Sequence, residues 1–247
     1  MQILLTNDDG ISSRGLQELA GVLSTFACVT VVAPAFEQSG TGHGITVLQP
    51  LRLYKADMEG PESAWAVQGM PADCVKLALE HVLPQKPDLV ISGVNCGPNL
   101  ATDVIYSGTV SGAMEGYIYG IPSIAISLIH DFDNLSVALD FVKRICLWWE
   151  KNQFLPAMIL NINVPSGKID GYRWAKLGFR TYDNAFEERV DPMGRQYFWL
   201  HGDVVDIGDH GQTDVDVVKD NKISITPLKY DLTDYAQLED FVDKPFI

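Results

Sequence analysis

"MQILLTNDDGISSRGLQELAGVLSTFA", residues 1–27, decides the fold class. Its first six residues are an apolar run of strand length, and after a polar loop Leu16, Leu19, Ala20, Leu23 and Phe26 recur at helical spacing over residues 13–27. Asp-Gly inside "NDDG" (7–10) is a common hairpin turn, but a helix follows here where a pairing strand would have to stand. Strand, loop and helix in that order predict the start of a parallel crossover unit.

The pattern repeats downstream. "CVTVVAP" (28–34) predicts a second buried strand, followed by a glycine-rich loop, "EQSGTGHG" (37–44). Residues 45–69 are strand-like and irregular, and Pro71 then opens a helix, since proline is well placed in a first turn. "PDLVISGV" (87–94) predicts a third core strand. A polar loop runs from Asn95 to Gly108 into a helix bearing Val110, Ala113, Met114, Tyr117 and Ile118. "PSIAISLI" (122–129) and "AMILNINVP" (157–165) predict two further strands, with an amphipathic helix over 134–150 between them. Alternating apolar strands and helices predict a doubly wound α/β unit over residues 1–165, its mostly parallel sheet covered on both faces. Residues 166–247 differ: short aromatic and β-branched runs such as "RQYFWL" and "KISITPL" predict β-hairpins and an extended arm, suited to a subunit contact.

The chain has 247 residues, 47% of them hydrophobic, enough for a substantial core. No stretch approaches the roughly 20 apolar residues of a membrane span, and the first residues read as strand and not as a leader, so a soluble, cytoplasmic protein is expected. With 32 acidic against 18 basic side chains the net charge is −14, which repels the backbone of duplex nucleic acid. A small phosphorylated ligand remains compatible if a cation screens it. Cys28, Cys74, Cys96 and Cys146 show no CxxC pairing, so buried, reduced thiols are expected in place of a zinc site or redox dithiol.

In an open parallel sheet, ligands sit beyond the carboxyl ends of the strands, where strand order reverses. The loops 7–10, 37–44 and 92–99 all end there. Asp8 beside Asp9 is the telling pair: neighbouring carboxylates raise each other's proton affinity unless a cation or strong donors hold both ionised. Helix capping does not explain them, because Ser12 or Ser13 suits that role better. Asp8, Asp9, the Ser39 hydroxyl and the Asn95 amide oxygen form an all-oxygen set suited to one divalent ion, Mg²⁺ or Mn²⁺. Zinc would recruit His or Cys, and these loops offer only His43, read as a loop residue or proton carrier, and Cys96, read as a packing residue. "GISSRG" lacks the lysine of a P-loop, and "GTGHG" lacks the dinucleotide spacing, which disfavours an ATPase or a dinucleotide enzyme. In "YSGTVSGAMEG" (106–116), Ser107, Gly108 and Thr109 begin a helix whose free N–H groups and positive end favour an anion. Ordinary capping explains that stretch equally well on its own. Asp103 and His210 are read as solvated loop residues.

Together "LLTNDDG", "SGTGHGIT", "GMPADCV", "PDLVISGVNCGPNL", "YSGTVSGAMEG", "NINVP" and "TDVDVVKDNKISITPL" resemble the SurE family of stationary-phase survival proteins, the 5′/3′-nucleotidases, over residues 4–228. The resemblance implies a Rossmann-like core and a metal-dependent phosphatase acting on nucleoside 5′- and 3′-monophosphates, sometimes on short polyphosphate. It also implies metal positions at Asp8, Asp9, Ser39 and Asn95, and a homodimer or homotetramer built by the C-terminal hairpin and arm. Met70 stands where the family often has Thr, and Lys219 to Lys222 is more polar than usual. Asp8, Asp9 and Asn95 are the expected catalytic residues, with Asn95, Ser107, Gly108 and Thr109 holding phosphate. Attack by an activated water and an aspartyl-phosphate on Asp8 both stay open. The rival functions are a non-catalytic nucleotide-binding or scaffold protein and a phosphatase of non-nucleotide phosphates.

Overall fold

The computed structural model describes residues 1–152, 156–207, 211–242 and 244. The first strands are β1 (Gln2–Thr6), β2 (Cys28–Pro34), β3 (Leu53–Ala56), β4 (Ser63–Val67), β5 (Leu89–Cys96), β6 (Ser123–Leu128) and β7 (Ile159–Val164). The C-terminal stretch adds β8 (Tyr172–Trp174), β9 (Phe179–Asp183), β10 (Phe186–Val190), β11 (Gln196–Leu200), β12 (Asp203–Ile207) and β13 (Ile223–Leu228). The helices are α1 (Arg14–Leu23), α2 (Pro71–Leu77), α3 (Gly108–Ile118), α4 (Leu135–Lys151), α5 (Asp214–Lys219) and α6 (Tyr235–Phe241).

The main sheet has the order β3-β4-β2-β1-β5-β6-β7-β13-β8. From β4 to β7 every neighbouring pair is parallel. Counting only those six strands along the chain, the order is 3-2-1-4-5-6, that of the doubly wound dinucleotide fold. The order of strands along the chain switches sides between β1 and β5, which are themselves parallel. The flanks are mixed: β3 runs antiparallel to β4, β13 antiparallel to β7, and β8 parallel to β13.

Alternate residues of β1 serve opposite faces. Ile3 and Leu5 pack with Leu16, Leu19 and Leu23 of α1 and with Leu139 and Val142 of α4. Leu4 packs with Cys74 and Val75 of α2 on the other face, where α3 contributes Val110 and Ala113 against Ala125 and Ile159. Both faces are thus covered, so the parallel strands can be apolar throughout.

Four details depart from the sequence reading. α1 ends at Leu23 instead of reaching residue 27, because the Ser24–Ala27 backbone turns back onto the last α1 carbonyls. α2 continues from Leu77 as a π-helical turn, Ala78–Val82. Of the four free cysteines only Cys74 and Cys146 are buried; Cys28 and Cys96 are exposed, Cys96 because it is the last residue of β5. Hairpin pairing is present over 179–207, where β12 pairs with β9 and β11 with β10, both antiparallel, one ribbon nested within the other, whereas "KISITPL" departs from the hairpin reading and joins the main sheet as β13 beside β7. Among the described residues no helix is long and apolar enough to cross a membrane.

Candidate active site

The reversal of strand order opens a crevice beyond β1 and β5. Asn7 shapes its first wall, since its Nδ2 donates to the Gly10 carbonyl at 3.1 Å and to Ser13 Oγ at 2.7 Å. Ser13 does occupy the N-cap of α1, but it makes no side-chain cap bond. Its hydroxyl serves Asn7 instead, which corrects the expectation that Ser12 or Ser13 caps the helix by side chain.

Asp8 is only 5% exposed. Its Oδ1 accepts the Thr109 hydroxyl at 2.6 Å, and the Thr109 backbone N–H donates to the same carboxylate. Burial raises the Asp8 pKa above the usual carboxylate value, against the pull of those donors. Asp9 is partly buried and accepts the Cys96 backbone N–H from the end of β5. Burial, and after it the charge of Asp8, push Asp9 up to about 6. Both carboxylates therefore hold protons more tightly than they would in water.

Asn95 sits where the β5–β6 pairing shifts register between Ser92 and Asn95. Such a bulge re-aims a side chain at the rim of a sheet. Asn95 Nδ2 donates to the Gly97 carbonyl at 2.8 Å, which leaves Oδ1 to accept. Ser39 is exposed, and its hydroxyl donates to Glu37 Oε1 at 2.7 Å, leaving lone pairs on Oγ. The residue before it, Gln38, donates its N–H to the Asp8 carbonyl at 2.8 Å, joining the glycine-rich loop to the aspartate loop.

α3 starts against these carboxylates. A Cβ on Gly108 would lie 2.7 Å from Asp8 Cβ and 2.8 Å from Asp8 Oδ2, so only glycine lets the helix approach this closely. Ser107 is the N-cap, its Oγ accepting the Val110 N–H at 3.0 Å. The Ser107 hydroxyl is thus engaged in capping and Thr109 in holding Asp8. What this helix start offers an anion is the Gly108 N–H and the positive end of the helix dipole.

Several side chains at the site carry no signal in the sequence. Glu115 is 2% exposed on α3; its Oε2 meets His43 Nε2 at 2.7 Å, and its Oε1 accepts from Lys76 Nζ. Burial pushes the Glu115 pKa up, but the hydrogen bonds from His43 and Lys76 outweigh it and leave the group below its ordinary value. His43 is therefore tethered to a buried carboxylate. Asn99 lies inside a buried amide network: its N–H and Nδ2 donate to Asn163 Oδ1 and Ser127 Oγ, and its carbonyl accepts from Asn161 and Asn163. Asp214, fully buried, accepts the Ala101 and Gly178 N–H groups. These contacts hold the loop after β5 in place. Asp103 also departs from its reading as a solvated residue, because Arg180 donates to it at 2.8 Å and the Tyr182 hydroxyl at 2.7 Å. His210 lies outside the described residues.

The donor chemistry fits a hard divalent cation. Two carboxylates with raised proton affinity, an amide oxygen and a hydroxyl oxygen lie on adjoining loops, and a cation would relieve the first pair. Among the described residues no three His, Cys, Asp or Glu side chains group as a metal site, so the set depends on Ser39 and Asn95 to complete it.

Fold and site define a doubly wound α/β protein with an acidic, cation-competent loop facing the start of a helix at the topological switch point. The family model described as "Survival protein SurE" matches residues 3–184. A protein from Desulforudis audaxviator named 5′-nucleotidase SurE is 51% identical, covering 97% of this chain and 95% of its own. One of the same name from Heliobacterium modesticaldum is 48% identical over 98% of this chain and 91% of its own. The crystal structure of the SurE protein from Aquifex aeolicus superposes with a TM-score of 0.80 at 37% identity, covering 98% of each chain. The chain belongs to the SurE family.

Proposed function

We propose that the protein is a divalent-metal-dependent nucleotidase that hydrolyses nucleoside 5′- and 3′-monophosphates to nucleoside and phosphate, with short polyphosphate as a further substrate. The observation that carries this reading is the juxtaposition of Asp8 with the start of α3: a carboxylate for a cation lies in hydrogen-bond contact with Thr109, beside the Gly108 N–H that suits an anion. The names of the relatives support the nucleotide as substrate.

Asp8, Asp9, Ser39 and Asn95 would hold the ion, Mg²⁺ or Mn²⁺. When bound, such an ion polarises a phosphoryl oxygen and acidifies a water. Thr109 fixes the Asp8 carboxylate through both its hydroxyl and its N–H, so the ligand geometry is set before substrate arrives. Asn95 Nδ2 is committed to the Gly97 carbonyl, which leaves Oδ1 to ligate the ion while neighbouring donors take phosphate. Ser107 keeps the first turn of α3 closed, and the Gly108 N–H and helix dipole oppose charge growing on the equatorial oxygens. The burial of Asp8 and the engagement of its Oδ1 favour attack by water over an aspartyl-phosphate on that residue.

A cytoplasmic homodimer or homotetramer, joined through the C-terminal ribbons and arm, completes the reading. Release of phosphate from AMP and GMP, measured with Mn²⁺ and then with chelator, tests the activity. Metal-dependent turnover that is absent from Asp8→Asn and Asp9→Asn is expected. Turnover of sugar phosphates alone would point to the non-nucleotide phosphatase, and no turnover of any monophosphate to a binding or scaffold role.

A further inference from the structure

The loop that carries Ser39 is tied down at both ends. At its start the Gln38 N–H donates to the Asp8 carbonyl at 2.8 Å. Toward its end the Gly42 N–H donates to the Tyr106 carbonyl at 2.9 Å, just before α3, and the His43 side chain reaches Glu115 on that helix. The geometry points to His43 as a positioning residue: through Glu115 it latches the loop to α3 and so places the Ser39 hydroxyl for the ion. The assignment rests on the metal reading and extends it to a residue outside the ligand set.

Three observations support it. The first is that the loop does not hold itself. Gly40 and Gly42 have φ of 70° and 57°, a conformation that glycine reaches easily but at the greatest loss of backbone freedom. Ser39 is exposed, and its hydroxyl donates to Glu37 of the same loop, a bond that anchors it to nothing outside. A neutral hydroxyl on such a segment adds little to ion binding unless the segment is ordered beforehand, because the entropy of ordering otherwise falls on the binding step.

The second is the strength of the anchor. The Glu115 side chain is 2% exposed and that of His43 36%, so the imidazole reaches inward to a buried carboxylate. Leaving such a charge unpaired is strongly unfavourable, which keeps its partners in place. With a pKa below the ordinary value Glu115 is ionised and can only accept. The hydrogen in the 2.7 Å contact therefore sits on His43 Nε2, and the latch holds whether the ring is neutral or charged. Lys76, from α2, occupies the other carboxylate oxygen. The third is that one helix serves both kinds of ligand. α3 carries Thr109, which holds Asp8, and Glu115, which holds His43, so the carboxylate and the hydroxyl are set from a common frame. Beyond His43 the chain is fixed again where buried Asp73 accepts the Thr46 N–H at 3.0 and 3.1 Å.

The test needs no catalysis. In metal-free His43→Ala, amide hydrogen exchange at Gln38 and Gly42 is expected to quicken about ten-fold or more, while the amides of β1 and β5 keep their rates. Direct titration with Mn²⁺ should show Kd raised about ten-fold, the low end for a residue that orients a ligand from behind. His43→Gln keeps an N–H donor at similar reach and should restore both values. Lys76→Met is the control, since it takes the other cation from Glu115 without touching the loop. It should lower the melting temperature yet leave loop exchange and Mn²⁺ affinity within about two-fold of the unaltered protein. Unchanged loop exchange or unchanged Mn²⁺ affinity in His43→Ala, or equal losses in His43→Gln and Lys76→Met, would overturn the latch. If the unaltered protein binds no Mn²⁺, the metal reading fails instead, and the exchange rates still decide whether His43 holds the loop.

Discussion

At the scale of single residues, Asp9 couples the site to pH. Its pKa stands near 6 in the folded protein against an ordinary 3.8. Between those values the folded state binds more protons than the unfolded chain, so stability falls as pH rises from about 4 to about 6 and stays lower above that. Asp9→Asn removes the penalty. The metal-free variant is expected to melt above the unaltered protein at neutral pH, by an amount equivalent to about 1 kcal/mol after allowance for solvent screening, with the gap closing near pH 4. Calorimetric melts across pH check this, and a gap that grows toward acid would contradict it. Added Mn²⁺ should reverse the order, stabilising the protein that keeps both carboxylates. Glu115 makes the opposite case. His43 and Lys76 converge on it, and Glu115→Ala should lower stability by about 1–2 kcal/mol, both partners being free to turn to solvent. Because the loop of Ser39 then loses its His43 tether and keeps only main-chain bonds such as that of Gln38 to Asp8, Mn²⁺ affinity should fall as well; a titration that shows unchanged affinity would limit Glu115 to a structural part. The acidic pair was legible in the sequence because its members are adjacent and their repulsion demands an explanation. Lys76, His43 and Glu115 are separated along the chain by 33 to 72 positions, and they meet only through the packing of α2 on α3 and the fold of the loop that carries His43.

Between elements, α1 approaches β5 closely beside Asn95, a contact expected to steer that side chain. A Cβ on Gly15 would lie 2.1 Å from the Val94 carbonyl oxygen, next to the register shift that carries Asn95. Gly15→Ala must push the helix off the strand, at about 1–3 kcal/mol, and should reduce turnover by more than the loss of folded protein explains. Gly21, in the same helix, faces open space, so Gly21→Ala should stabilise by about 0.5–1 kcal/mol and leave turnover alone. Equal behaviour of the two variants in melts and assays would show that the α1–β5 contact does not steer Asn95. Strand runs such as residues 1–6 and 87–94 could be read directly, since burial on both faces demands unbroken apolar sequence. The same physics hid the rest: Leu53–Ala56 and Tyr172–Trp174 lie at sheet edges and are only partly covered, so no apolar run marks them. The attachment of β13 to β7 is long-range pairing, which no local pattern encodes.

For the whole molecule, the open question is what covers the C-terminal ribbons. Every residue of β10 and β11 is exposed, and a two-stranded ribbon without a packed face is marginal in water. In the observed register Phe186 stands opposite Leu200 and Glu188 opposite Phe198, which puts Phe186, Val190, Phe198 and Leu200 on one face. Their exposures of 66, 60, 57 and 78% leave that face, which also carries the bonded pair Glu188 and Gln196, bare. A bare apolar face on a rigid ribbon is the usual mark of an association surface, and a second copy, related by a two-fold axis, presents the same face in return. Replacing Phe186, Phe198 and Leu200 together by Ser should therefore lower the mass seen by light scattering at least two-fold. Turnover per chain should persist, because Asp8, Asp9, Ser39, Asn95 and the start of α3 all belong to one chain and none of them lies on β10 or β11. An unchanged mass would remove the ribbon as the contact, whereas a smaller particle that has also lost turnover would mean that the neighbouring chain stiffens or completes the crevice.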